Sequence, residues 1–224
     1  MITTEHLLSI ARWAHDLSPA ERERAARGIV ERSFAQGEYI CHQGDRFDSW
    51  SGVVSGLVKV STVSDTGKAV TFTGMPAGGW FGEGTLLKDE QRKYDLVAIR
   101  ATRLALMNRA TFLWLFDNSV AFNRFLVHQL NERLGQFIAV LGYDRMLDAQ
   151  ARLARGLAWM FNPVLYPSVG SYLDISQEEL GLLSGLSRQM TNKCLRALED
   201  EGLLKIEHSG VRIIDLRRLA RYGE

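Results

Sequence analysis

The sequence predicts an α+β fold in three successive parts: a β-sandwich or barrel, a long amphipathic helix, and a helix-turn-helix followed by a β-hairpin. Residues 34–107 hold short β-type runs separated by glycine-containing turns, at the spacing typical of β-sandwiches and barrels. Residues 120–142 repeat apolar side chains with a helical period. Residues 174–216 contain two helix start signals on either side of a glycine turn.

The first predicted helix is recognised by its start signal. Residues 18–33 begin with Ser18 as N-cap, Pro19 at the first helical position and Glu21 completing a capping box. We therefore expect a helix at the start of this segment, before the β-type texture begins at Phe34.

The predicted β part consists of short apolar and β-branched runs: YIC, WSGVV, LVKVSTV, AVTFTGM, WFG, LVAI and LALM. Between LVKVSTV and AVTFTGM stands Asp65-Thr66-Gly67, which we interpret as a hairpin tip because glycine adopts positive φ readily.

The long helix has two apolar stripes. One stripe has the spacing of a coiled-coil seam and predicts a dimer interface made of Val120, Val127, Leu130, Leu134, Phe137 and Leu141. A second stripe, on a neighbouring face, contains Phe122, Phe125, Leu126 and Ile138. Two apolar faces indicate a helix that packs on its own domain and on a second copy of the chain. The alternative is a helix buried within one core.

A break near residues 144–148 is the best candidate for a domain boundary. Asp148 has the position of an N-cap for a following apolar helix, and Pro163 and Pro167 end that helix. We therefore predict a sensing domain over 1–119, a dimerisation helix and hinge over 120–146, and a third domain over 147–224.

The third domain shows the helix-turn-helix pattern. Ser176 and Glu179 predict a capping box and a short helix over 177–184. Gly185 lies where a tight turn needs a residue without Cβ, and Ser187 can cap a second helix that ends near Glu201. The runs 202–206 and 211–214, joined by a turn at 208–210, then predict the β-hairpin of a winged variant.

The outer face of the second helix has the chemistry of a DNA reader. Residues 186–198 contain three basic side chains and no acidic one, together with amides that can reach base edges. The candidate DNA-binding residues are Ser187, Arg188, Gln189, Asn192, Lys193 and Arg196. The alternative is an ordinary helical hairpin followed by a β-hairpin.

Composition and charge exclude several other classes. The chain has 224 residues, 27 Lys plus Arg and 26 Asp plus Glu, for a net charge of +1. Its 2 cysteines are far apart, so neither a disulfide framework nor a thiolate zinc site is expected. The 5 histidines are scattered singly, and no catalytic motif is recognisable, so we expect neither a metal site nor an enzyme. The N-terminus lacks a signal pattern and no stretch is suited to a membrane helix, which favours a cytoplasmic protein.

The combination of these parts resembles the cyclic-AMP receptor/FNR (Crp/Fnr) family of bacterial transcription regulators. The matching landmarks between about Phe34 and Tyr222 are Gly44-Asp45, Gly56, Gly79, Phe81-Gly82-Glu83, Asp148 and Ser187-Arg188. The resemblance implies a cyclic-nucleotide-type β-roll, that is, a jelly roll or double-stranded β-helix. It also implies a homodimer that binds a near-palindromic operator in double-stranded DNA, and contact with RNA polymerase.

The resemblance also implies an effector pocket. In cyclic-nucleotide-binding members, a Gly-Glu pair meets the ribose and an Arg followed by a hydroxyl residue meets the phosphate. Here Gly82, Glu83 and Arg92 match this pattern, but Lys93 replaces the hydroxyl residue. The pair of residues on the dimer helix that binds adenine in the family corresponds to Phe137 and Ile138 in this sequence. Three possibilities remain open for this pocket: cyclic AMP, another small effector, or no ligand. In the last case Glu83 and Arg92 could form a buried ion pair.

Other sensing chemistries and functions can be compared with the same residues. An FNR-type iron–sulfur cluster needs four cysteine ligands, which the chain does not have. Haem would need an axial ligand such as Cys41, His42 or His128, and none of these lies in a recognisable haem motif. Two alternative functions are a cyclic-nucleotide-binding module that regulates a partner by protein contact, and a cupin-like metal enzyme.

Overall fold

The N-terminal segment is helical only up to Arg27. The structure is a computed structural model that describes residues 1–64, 66–67 and 69–224. It begins with α1 (Thr4–Ile10), a 3₁₀ helix (Arg12–Asp16) and α2 (Pro19–Arg27), which starts with the predicted capping box. The helix expected at the start of the 18–33 segment is therefore present, and it ends at Arg27. Ile29–Phe34 forms strand β1, because pairing with a distant strand (Ile29 opposite Met107) outweighs the local helical pattern.

The β part is a jelly roll of two antiparallel sheets. Its remaining strands are β2 (Tyr39–Cys41), β3 (Ser49–Ser55), β4 (Leu57–Val63), β5 (Ala69–Pro76), β6 (Trp80–Phe81), β7 (Asp95–Ala98) and β8 (Thr102–Asn108). The sheet orders are β1-β8-β3-β6 and β2-β7-β4-β5. The predicted β-roll is confirmed, and its inner faces enclose a hydrophobic cluster.

The predicted β4–β5 hairpin is present. Val63 pairs with Ala69, and Gly67 lies in the connecting turn with a φ of 80°. Asp65, the first residue of the predicted tip, lies outside the described residues.

Three helices follow within and after the β-roll: α3 (Glu83–Lys88), α4 (Arg109–Asn118) and α5 (Val120–Met146). The inner face of α5 is anchored in an aromatic cluster, where the Phe122 ring lies 5.2 Å from that of Trp50 and 5.4 Å from that of Trp13. Ile138 does not belong to this face, since its side chain is 61% exposed. The 16 residues from Phe122 to Ile138 turn a helix by about 160° beyond whole turns, which places the two side chains on nearly opposite sides.

The C-terminal part is a winged helix-turn-helix. It contains α6 (Ala149–Trp159), β9 (Tyr172–Leu173), α7 (Gln177–Ser184), α8 (Arg188–Asp200), β10 (Leu204–Glu207), β11 (Gly210–Ile213) and α9 (Leu216–Ala220). Asp148 caps α6 as predicted, because its carboxylate accepts a hydrogen bond from Ala151 N. Strand β9, which the sequence analysis missed, adds a third strand to the wing sheet.

The winged domain packs directly against the β-roll. Arg100 Nε donates to Asp174 Oδ1 at 2.9 Å, and Lys59 Nζ lies 3.8 Å from Glu179 Oε2. The second contact modifies the predicted capping box. Ser176 Oγ accepts from Glu179 N, but the Glu179 carboxylate is directed to Lys59 of the β-roll. None of the described helices is long and apolar enough to cross a membrane.

Candidate DNA-reading helix and effector pocket

The turn between α7 and α8 brings the two helices into close contact. Gly185 adopts a φ of 63°, the left-handed conformation that ends α7. A Cβ at Gly181 would lie 2.8 Å from the Leu186 carbonyl oxygen and 2.9 Å from Thr191 Oγ1. The crossing therefore requires glycine on α7, and it buries Thr191 completely. Ser187 Oγ accepts from Met190 N and caps α8.

The buried and exposed faces of α8 separate as the sequence predicts. Thr191, Cys194, Leu195 and Leu198 are buried. Most of the candidate DNA-binding residues lie on the exposed surface of the helix or at its cap: Ser187, Arg188, Gln189, Lys193 and Arg196. This exposed surface is continuous along the helix and presents three cations that have no ion-pair partner among the described residues.

Two residues of α8 depart from the sequence analysis. Asn192 is half-buried, and its amide donates to Gln177 Oε1 at 2.8 Å, which ties α8 to the start of α7. Met190 was not selected, yet its side chain is 39% exposed in the first turn of α8. Its spacing gave no signal of this exposure, because Met190 lies four residues before buried Cys194, a separation that places two residues on the same face of a helix.

Arg188 faces a cavity that several elements share. The cavity has a volume of about 340 Å³, and it is lined by Arg188, the start of α7, the wing turn and Arg100 from the β-roll. Arg100 is held there by its hydrogen bond to Asp174. The β7–β8 connection of the β-roll therefore lies beside the reading surface of the helix-turn-helix.

The structure brings Gly82 and Arg92 into contact. Gly82 has a φ of 104°, and a Cβ at this position would lie 2.6 Å from Arg92 Nη2. Any other residue would displace the guanidinium, so glycine is required by both conformation and space. Arg92 is 2% exposed, and its Nη2 donates to the carbonyl oxygens of Ser49 (3.2 Å) and Phe47 (3.4 Å).

Glu83 and Arg92 do not form an ion pair in the described part of the chain, so the ion-pair alternative is not realised. Glu83 is 6% exposed, and its Oε2 has no hydrogen-bond partner among the described residues. Arg92 Nε and Nη1 are likewise buried, and neither atom has a hydrogen-bond partner within residues 1–64, 66–67 and 69–224. Buried charged groups are usually paired, because removal from water is costly. Arg92 Nε and Nη1 are therefore unused donors and Glu83 Oε2 is an unused acceptor, and these atoms belong to residues at the Gly82 turn.

The other candidate effector residues lie elsewhere. Lys93 is exposed, and its Nζ lies 3.2 Å from Glu90 Oε2. Phe137 and Ile138 are 39% and 61% exposed on α5, so neither is enclosed within this chain. Their side chains offer no hydrogen bond to a ligand.

The sequence analysis missed two α5 residues that bind the β-roll. Gln129 Nε2 and Arg133 Nη2 each donate to the Trp80 carbonyl oxygen at 3.0 Å, just before the Gly82 turn. Arg133 Nε is buried, and the described part of the chain offers it no hydrogen-bond partner. The sequence contains a signal for these two positions, because Gln129 and Arg133 lie about two helical turns after the buried residues Phe122 and Leu126, on the same face of α5. They connect α5 to the strand that leads into the pocket.

The predicted dimer residues form an exposed apolar surface on α5. Their exposed fractions run from 39% to 67%, and the surface contains Val120, Val127, Leu130, Leu134, Phe137 and Leu141. Contiguous exposed apolar surfaces can mark protein–protein contacts.

Two family models match the chain. A cyclic nucleotide-binding domain matches residues 31–119, and a Crp-like helix-turn-helix domain matches residues 151–222. The first match contains the Gly82–Arg92 region, and the second contains α7 and α8.

Relatives match over almost the whole length. The cyclic AMP receptor protein of Thermus thermophilus is 29% identical over 210 residues, covering 94% of both chains. The CRP-like cAMP-activated global transcriptional regulator of Mycobacterium tuberculosis is 28% identical over 221 residues, covering 97% of this chain and 98% of that protein.

Solved structures give the same result for the fold. The crystal structure of the Thermus thermophilus catabolite activator protein has a TM-score of 0.51 at 27% identity, covering 93% of this chain and 98% of that one. FixK2 of Bradyrhizobium japonicum has a TM-score of 0.71 at 19% identity, covering 86% of this chain and 96% of that one, and supports the fold alone.

Both domain matches, their order and the near-complete coverage agree with the β-roll and the winged helix built above. The chain belongs to the Crp/Fnr family and is a DNA-binding transcription regulator of the Crp/Fnr type.

Proposed function

We propose that the protein is an effector-responsive homodimer that binds a near-palindromic operator through two copies of α8. The exposed basic and amide surface of α8 is the observation that carries this proposal. Two recognition helices in successive major grooves would be separated by ~34 Å, one helical turn of DNA. The proposed division assigns sensing to residues 1–119, dimerisation to 120–146 and DNA binding to 147–224, with all of these acting in the cytoplasm.

Arg188 is the proposed main specificity contact. A guanidinium can bind guanine O6 and N7 together, whereas the exposed Lys193 and Arg196 suit phosphates. For an operator selected from random DNA, Arg188→Ala should weaken the free energy of binding by about 1–3 kcal/mol. It should also relax the base preference at one operator position. Arg217→Ala, at an exposed arginine outside α8, is the control. Equal binding by wild type and Arg188→Ala would favour the alternative of a module that acts by protein contact.

We propose that the effector is a small anion with a hydroxyl group. Arg92 would bind the anionic group and Glu83 the hydroxyl, which satisfies the orphaned atoms of both residues. Cyclic AMP has this chemistry, and both relatives above are described as cyclic-AMP proteins. Phe137 and Ile138, however, would give its base only apolar contact.

Calorimetry with cyclic AMP tests this assignment. Arg92→Gln should weaken binding by about tenfold or more, because hydrogen bonds to charged groups contribute about 1.5–3 kcal/mol. Lys93→Gln should bind like wild type, since Lys93 is exposed and paired with Glu90. If cyclic AMP does not bind, native mass spectrometry of the protein from its host should find another retained anion. A protein without retained ligand and without cyclic-AMP binding would contradict the proposed pocket.

A further inference from the structure

The interior of the β-roll is filled partly by residues from outside it. Leu165 and Tyr166 follow α6 in the winged domain, and they are 2% and 1% exposed. Both belong to the hydrophobic cluster between the two sheets, together with Val53, Met75 and Phe81. Phe81 directly precedes the Gly82 turn of the effector pocket. A segment of the DNA-binding domain thus completes the core of the sensing domain.

This segment has a defined conformation, and we call it the 162–169 loop. Asn162 Oδ1 accepts hydrogen bonds from the backbone N–H groups of Val164 and Leu165, both at 2.9 Å. Its amide donates to Glu132 Oε1 on α5 at 2.7 Å. Tyr166 N donates to the Asn162 carbonyl oxygen at 2.8 Å. The loop is therefore held in a shape that presents Leu165 and Tyr166 to the β-roll.

Glycines on the β-roll make room for the winged domain. A Cβ at Gly79 would lie 2.9 Å from Tyr166 Cδ1, and one at Gly78 would lie 2.8 Å from Ser168 N. A Cβ at Gly74 would lie 2.5 Å from the end of the Met160 side chain. The two domains approach more closely here than side chains on the β-roll would allow.

The Tyr166 hydroxyl destabilises the contact between the winged domain and the β-roll. It is buried, and it has no hydrogen-bond partner in the described part of the chain. A buried hydroxyl without a partner has lost its bonds to water and gained none, so it destabilises the docked arrangement. The ring favours docking through its apolar contacts, while the hydroxyl opposes it.

We propose that the β-roll interior is a site for an apolar ring that the chain itself fills with Tyr166, so that an effector ring entering there displaces the 162–169 loop. The displaced loop would release the winged domain from the β-roll, including the Arg100 contact beside Arg188. The effector step rests on the proposed function above, whereas the occupancy of the site by Tyr166 does not. The ligand class is a small molecule with an apolar ring.

Cys41 provides a built-in probe of the docked state. It belongs to the same cluster as Tyr166 and is 5% exposed, and burial raises the pKa of its thiol to about 11. Withdrawal of the 162–169 loop would open the cluster and let a disulfide reagent such as dithiobis(nitrobenzoate) react. The other cysteine, Cys194, lies in the core of the winged domain and is removed in a Cys194→Ala background.

Variants at Tyr166 should change Cys41 labelling in opposite directions. Tyr166→Phe removes the orphaned hydroxyl and should slow labelling several-fold. Tyr166→Ala removes the ring and should speed it by about tenfold or more. Val164→Ala, in the same loop but with a side chain 49% exposed, should label like the parent protein. Faster labelling of Tyr166→Phe would overturn the proposal.

Two further measurements separate a displaceable ligand from an ordinary core residue. Lys59→Gln combined with Arg100→Gln leaves the cluster intact but weakens docking, and it should also speed Cys41 labelling. In Tyr166→Ala, 4-methylphenol should slow labelling again by filling the vacated site. Unchanged labelling in the double variant, or no protection by 4-methylphenol, would show that Tyr166 is a static part of the core. Neither result depends on cyclic AMP or DNA, so failure here is distinct from failure of the proposed function.

Discussion

Arg92 and Lys93, neighbouring residues of the candidate effector pocket, have opposite surroundings. Arg92 is enclosed against Gly82 and two backbone carbonyls, while Lys93 points to solvent and pairs with Glu90. The sequence places both side chains at suitable distances from Glu83, but it does not show which way each one turns. That direction depends on the Phe47–Ser49 backbone, which is distant in sequence and could not be predicted from local spacing.

Met190 is expected to read a thymine methyl group. It is an exposed apolar side chain in the first turn of α8. In helix-turn-helix proteins this end of the recognition helix contacts base edges in the major groove, where the thymine C5-methyl is the apolar feature. Replacing the contacted thymine by uracil should weaken wild-type binding by about fourfold, since burial of one methyl group is worth about 0.8 kcal/mol. Fluorescence anisotropy with thymine and uracil operators measures this difference.

The matched variants are Met190→Ala and Leu182→Ala. The first should bind thymine and uracil operators equally well. The second removes a similarly exposed apolar side chain from α7 and should keep the wild-type preference. A wild-type protein that does not distinguish the two bases at any operator position would refute a methyl contact.

At the scale of elements, local signals were sufficient where an element is defined by its own turns and caps. The helices α7 and α8, their glycine turn and the hairpin behind them follow the predicted positions closely, because capping and positive φ are local properties. The end of α2 and the strand character of Ile29–Phe34 could not be predicted in this way. They depend on β8, which the chain reaches only after the rest of the β-roll.

Leu134→Glu is expected to prevent dimerisation. Leu134 is 59% exposed in the middle of the apolar surface of α5, and a carboxylate there would be desolvated in a helix–helix interface. Light scattering after size-exclusion chromatography should show a monomer for Leu134→Glu and a dimer for the wild-type protein. Val30→Glu makes the same change at an apolar residue of β1 that is 50% exposed, and should remain dimeric. A dimeric Leu134→Glu would assign the interface to another surface.

At the scale of the whole molecule, near-neutrality limits non-specific DNA binding. The net charge is +1, and the exposed surface of α8 contributes three cations per chain. If a dimer uses all six against phosphates, log K should fall against log salt with a slope of about −5 or shallower. Anisotropy titrations at several salt concentrations measure the slope. A much steeper slope would indicate a further basic surface outside α8.

The relation between the two domains was beyond prediction from the sequence. The break near Asp148 indicated a boundary, but nothing local showed that Leu165 and Tyr166 would enter the β-roll or that Glu179 would pair with Lys59. These contacts join residues that are far apart in the chain, and each has an equally acceptable local alternative. Tyr166 could pack within its own domain, and Glu179 could complete its capping box.

The glycines at positions 78 and 79, in the turn after β5, have a consequence for genetics. A selection for variants that regulate without any inducing signal would find few changes at Arg92 or Glu83, because loss of a binding group does not imitate the ligand. Small substitutions such as Gly79→Ala would instead push the winged domain away while leaving most of the β-roll intact. We expect constitutive alleles to concentrate at Gly78 and Gly79, where an added methyl group would separate the winged domain from the β-roll as a bound inducer would.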